Sequence, residues 1–174
     1  MGSPHAWLAA ERVDDLFPDE EVEWVPVLLG GIFRNTGRMS WAQGPEREAG
    51  MAEIERRARE RGLPPVRWPE PWPNDGLRVM RAAVFGGVPF ARAAFRVHFV
   101  SGVPLSDASA IFLAADRAGL DPARVLAATE EREVKDALRA NTDRALGSGV
   151  SGVPTVVVGG DTFWGDAELE AAKA

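Results

Sequence analysis

Trp7, Leu8, Val13 and Leu16 recur at three- to four-residue spacing, and Pro4 is suited to a first helical turn, so the pattern predicts a helix over 4–16 capped by Ser3. Phe17-Pro18-Asp19-Glu20 ends it. Val22, Trp24 and the run Val25–Leu29, interrupted by Pro26, predict a short strand, and Gly30-Gly31 and Thr36-Gly37-Arg38 mark the loop after it. From Glu46 to Arg61 the chain is charged, with a thin apolar stripe of Met51, Ile54 and Ala58. That reads as a solvated helix with Gly62 at its C-cap. Between Leu63 and Pro73 five prolines and two tryptophans rule out a helix or central strand and predict an extended connector.

Asn74 or Asp75 is placed to cap a helix through Leu77, Val79, Met80, Ala83 and Val84, which Gly86-Gly87 ends. Further helices are predicted over 89–100, 106–118, 122–128 and 130–146, with Thr129 as the cap of the last. After Gly147 the pattern changes to strand 155–158, a Gly159-Gly160 turn, strand 161–164 and a final helix from 166. Helix and strand in front, a long helical block, then strands and helix behind describe a helical insertion in a small α/β domain. The boundaries follow: 1–45 and 147–174 form one discontinuous domain, and 46–146 the helical insertion.

Composition narrows the chemistry. With 174 residues and no cysteine, the chain has a core of ordinary size, no disulfide and no thiol of its own. Its net charge of −6 is the wrong sign for a nucleic-acid partner. No apolar run reaches membrane-spanning length and Met1-Gly2-Ser3-Pro4-His5 is unlike a secretion signal, so a cytoplasmic protein with no membrane partner is expected. The histidines, His5 and His98, form no cluster at metal-ligand spacing, and no metal is expected.

Four separated segments carry a more specific signal: GSPHAWLA at 2–9, VPVLLGGIFRNTG at 25–37, WPEPWPNDGLRVMRAA at 68–83 and GVSGVPTVVVGGDTFWGD at 149–166. Together, and in this order, they resemble the 2-hydroxychromene-2-carboxylate isomerase and kappa-class glutathione transferase family, a branch of the DsbA-like group. The resemblance implies an α/β fold, a thioredoxin-like (DsbA-type) domain with an inserted all-helical domain. It also implies a first β-strand before the Ser-Pro motif, which is missing from this sequence and whose loss would leave unpaired strand edges.

The same resemblance implies glutathione, or another low-molecular-weight thiol, as cofactor. Ser3 stands where redox relatives carry cysteine and is the implied catalytic residue, promoting the bound thiolate; Ser3, Pro4, Val153, Pro154 and Asp166 are the implied glutathione-binding set, with a cis bond before Pro154. A helix N-terminus suits that role, since unpaired N–H groups and a partial positive charge favour a thiolate over a thiol. The plain structural alternatives are that Ser3 only caps its helix, Pro154 opens a strand in trans and Asp166 caps the last helix. Two family features differ: Arg38 follows Gly37 where relatives have asparagine, and Asp166-Ala167-Glu168 follows Gly165 with its aspartate one position early.

His5 is read as a wall of the substrate pocket, where relatives carry an aromatic residue, with an acid–base role as the alternative; Phe33 and Trp41 are weaker candidates for that wall. Trp41, Trp68 and Trp72 are core residues or the lining of a pocket for a flat aromatic ligand. The expected function is a glutathione-dependent isomerase of a 2-hydroxychromene-2-carboxylate-like aromatic catabolite, with a small aromatic substrate, a thiol and a second copy of the chain as partners. A kappa-type glutathione transferase and a non-catalytic DsbA-like binding module are the alternatives.

Overall fold

In the computed structural model, which describes residues 1–173, the first helix is shorter than its apolar spacing predicts. α1 spans Pro4–Ala10, the chain breaks at Glu11 and Arg12, and one further turn, α2, covers Val13–Leu16. Both residues at the break have partners elsewhere. Glu11 accepts from Trp7 Nε1 at 3.0 Å and from Arg96 Nε and Nη2 at 2.8 and 2.6 Å, while Arg12 turns to the Asp166 carbonyl and the Glu170 carboxylate.

Residues 21–28 form neither helix nor strand, against the predicted strand over 22–29. A strand persists by pairing, and among the described residues the sheet consists of two strands bonded only to each other. Leu28 N–H instead donates to Thr142 Oγ1 at 3.0 Å, and Leu29 begins a helix, α3 (Leu29–Thr36). Trp24 packs against all three apolar clusters of the chain. After a 3₁₀ turn at Trp41–Gln43 comes α4 (Arg47–Glu60), which buries Ile54 and Ala58 as its stripe predicts. Gly62, at φ 67°, closes it.

The Pro-rich connector has no helix or strand and contains cis bonds at Glu70-Pro71 and Trp72-Pro73. As expected, Gly86-Gly87 separates two helical segments, together labelled α5 (Leu77–Phe99), and Gly87 between them is non-helical at φ 64°, ψ −157°. Pro89 falls in the first turn of the second segment, where its missing N–H costs nothing. Asp75 supports the start, accepting from Leu77 N–H at 3.0 Å. Helices α6 (Ala108–Arg117), α7 (Pro122–Ala128) and α8 (Arg132–Gly147) follow, the first two capped by Asp107 and Asp121. Thr129, expected to cap α8, instead ends α7, donating to the Leu126 carbonyl at 2.7 Å, and Glu131 takes the cap position of α8.

β1 (Thr155–Val158) and β2 (Asp161–Trp164) form the predicted hairpin, in register Thr155↔Trp164 through Val158↔Asp161. Both turn residues, Gly159 and Gly160, have positive φ, as a tight hairpin requires. Among the described residues the final helix is not formed. Residues from Asp166 make turns and a short 3₁₀ segment, Ala171–Lys173, because Asp166 is drawn into ion pairs and Leu169 and Ala172 are buried.

α5 is the spine, packing on α1, α6, α7 and α8. Its middle, with α6 and α7, builds one apolar cluster (Val79, Phe90, Ile111, Val125), and its end joins α1, α4 and the connector in a second (Trp7, Leu8, Ile54, Trp72, Phe99). A third, of Ala9, Val13 and Leu169, fixes the last segment under α1. Among the described residues no helix is long and apolar enough to cross a membrane.

Candidate functional site

Ser3 caps α1 through its hydroxyl, which accepts from Ala6 N–H at 3.4 Å. The same hydroxyl donates to the carbonyl of Val153 at 3.5 Å, bringing together two candidate elements 150 positions apart in the sequence. The Val153-Pro154 bond is cis. Pro4 is buried, while Ser3, Val153 and Pro154 are half-buried. Both hydroxyl bonds are at the long limit for oxygen, so the Ser3 hydroxyl is weakly committed and free to rotate.

The loop carrying Val153 is held on several sides. Gly165 N–H donates to the Pro154 carbonyl at 2.9 Å and Thr155 Oγ1 to the Gly152 carbonyl at 2.8 Å. A Cβ at Gly152 would stand 2.5 Å from Trp164 Nε1, so the indole lies directly on that glycine. Arg38 stacks on Trp164 at 4.3 Å and reaches Ser151 Oγ at 3.5 Å.

Asp166 is the ionic centre. Its carboxylate is 1% exposed and meets His5 Nδ1 at 3.0 Å, Arg57 Nη1 at 3.0 Å and Arg61 Nη2 at 2.7 Å. Burial alone would raise the carboxyl pKa; the hydrogen bond from His5 and the charges of Arg61 and Arg57 outweigh it and hold the group at about 2. Asp166 is therefore an anion bonded from within the protein. It does not cap a helix, and an incoming ammonium group would have to displace one of these partners. Arg57 and Arg61 belong to the helix read as a solvated face. The signal was there: Arg61 lies three positions after Ala58 and seven after Ile54, so the buried stripe of α4 runs into a guanidinium.

His5 also meets Trp41 edge-on at 6.2 Å, and a row of rings leads inward from there: Trp41–Trp72 at 5.5 Å, Trp72–Trp68 at 4.5 Å, Trp68–Phe99 at 5.9 Å and Phe99–Trp7 at 5.6 Å. Trp41 rests on Gly50 of α4, where a Cβ would come within 2.4 Å of the ring. Phe33 is half-buried on α3 and, among the described residues, makes no ring contact with this row. A cleft of about 560 Å³ between α3 and α8, bordered by Leu28, Arg34, Arg139 and Thr142, does not reach Ser3, His5 or Val153. His98 is wholly buried in α5, with Nδ1 2.8 Å from the Val103 carbonyl; burial pushes its pKa down to about 4. No group of three or more potential metal ligands forms among the described residues.

A model of the DSBA-like thioredoxin domain matches residues 1–174. No curated protein matches the sequence. Among solved structures, that of selenomethionine 2-hydroxychromene-2-carboxylate isomerase (HCCA isomerase) is similar with a TM-score of 0.83 at 19% sequence identity, covering 96% of this chain and 86% of that one. At that identity the likeness is one of fold.

Proposed function

The chain belongs to the DSBA-like thioredoxin domain family, and from that premise we propose that it is a glutathione-dependent isomerase of a 2-hydroxychromene-2-carboxylate-like aromatic acid. The observation that carries the reading is the approach of the Ser3 hydroxyl to the Val153 carbonyl beside cis Pro154. In a chain without cysteine, this is a thioredoxin-type site suited to another molecule's sulfur.

The loosely held hydroxyl fits a thiol. It turns from Val153 to donate to sulfur, and a charge-assisted bond of this kind favours thiolate over thiol, whose ordinary pKa is about 8.5. Val153, released from Ser3, offers its backbone to the peptide part of the ligand. The bound thiol supplies a nucleophile that adds reversibly to an electrophilic carbon of the substrate and leaves after bond rotation. The similarity in fold to HCCA isomerase supports this substrate class.

The test is turnover of 2-hydroxychromene-2-carboxylate with and without glutathione, followed by absorbance, with total thiol measured in parallel. Isomerisation that requires glutathione and leaves its concentration unchanged supports the reading. Stoichiometric thiol loss with chlorodinitrobenzene and no isomerisation would make the protein a transferase, and the absence of both would leave a binding module.

A further inference from the structure

We propose that His5, held by Asp166, is the base that takes the thiol proton at this site; the inference rests on the function proposed above. His5 is the second residue of α1 and follows the N-cap, Ser3, by two positions. Its Nδ1 is 3.0 Å from Asp166 Oδ1. Asp166 is ionised and can only accept, so Nδ1 carries the proton and Nε2 presents a lone pair. Among the described residues Nε2 has no protein partner, and the ring is 32% exposed against 1% for the carboxylate behind it. A buried anion behind one ring nitrogen and an open second nitrogen is the geometry of an oriented general base.

The surrounding charges are compatible with that role. From α4 and its C-cap, Arg57 and Arg61 face the same carboxylate, and Arg57 is shared with Glu53. From the break after α1, Arg12 bonds the Asp166 carbonyl and pairs with Glu170. The 3₁₀ turn contributes only the uncharged edge of Trp41. The arginines fix the carboxylate in place and leave the imidazole as the group able to exchange a proton with a ligand. A pocket wall would need no such anchoring.

The step balances without a further reactant. His5 Nε2 takes the proton of the S–H bond, whose electron pair stays on sulfur, and Asp166 stabilises the resulting imidazolium. When the carbon–sulfur bond to the product breaks, its electron pair returns to sulfur and His5 gives the proton back. His5 is thus a catalytic residue and Asp166 a positioning residue.

The experiment compares wild type, His5→Gln and Asp166→Asn. It reads glutathione binding by calorimetry, bound thiolate by its ultraviolet absorbance across pH, and isomerase turnover. His5→Gln should bind glutathione within about threefold of wild type, lose most of the bound thiolate near neutrality, lower kcat about a hundredfold and lose the acid limb of the pH–rate profile. Asp166→Asn should lower kcat at least tenfold, and nitrogen NMR of the wild-type imidazole should show Nδ1 protonated and Nε2 bare. Wild-type amounts of thiolate and an unchanged pH profile in His5→Gln, or the opposite tautomer in the wild type, would overturn the base and leave the Ser3 site standing. Failure of the wild type to bind glutathione would remove both.

Discussion

His98 and Asp166 are both buried and titratable, and they lose their native advantage at different acidities. For His98 the folded pKa of about 4 lies below the ordinary 6.5, so the unfolded chain takes up a proton first. Stability is intact above pH 6.5 and falls as pH drops toward 4, by about 3 kcal/mol. For Asp166 the folded pKa of about 2 lies below the ordinary 3.8, so its contribution is present above pH 4 and disappears as pH falls through 2. It amounts to no more than about 2 kcal/mol, and less where water screens the cluster. Denaturant unfolding across pH should show both windows, with His98→Leu flattening the first and Asp166→Asn the second. Ser3, Pro154 and Asp166 could be picked out from sequence because their motifs are local. The partners of Asp166 could not: Arg57 and Arg61 lie about a hundred positions away, in a helix whose composition resembles a solvated surface.

Elements were legible where local chemistry is self-sufficient. The hairpin follows from a β-rich run and two glycines, and α6 and α7 lie within the spans their patterns predict, 106–118 and 122–128. Residues 21–28 have strand-forming side chains but no partner, and pairing is a property of the sheet that no local pattern reports. Gly86-Gly87 ends the first segment of α5, as its local chemistry predicts. At φ 64° and ψ −157°, Gly87 occupies backbone space that is essentially glycine's alone. Gly87→Ala should therefore cost about 1–3 kcal/mol in urea denaturation. At Gly50 a methyl group would meet Trp41 at 2.4 Å. Gly50→Ala should displace that ring from His5, lowering isomerase kcat and altering tryptophan fluorescence while the far-ultraviolet helix signal stays intact.

At the scale of the molecule, the resemblance seen in four motifs agrees with the family match over the full sequence and with a fold shared at a TM-score of 0.83. A site assembled from residues 3–5, α4 and the 153–166 segment ties both ends of the sequence to its middle, so a ligand there should stabilise the whole fold. Glutathione at about a hundred times its Kd should add about 2.7 kcal/mol and raise Tm on the order of 5–10 °C. The more direct measurement is the glutathione-dependent kcat/KM for 2-hydroxychromene-2-carboxylate in wild type and Ser3→Ala. If Ser3 holds the thiolate, the variant falls about a hundredfold or more while staying folded. Equal turnover in the two proteins, or isomerisation that needs no thiol, would contradict it.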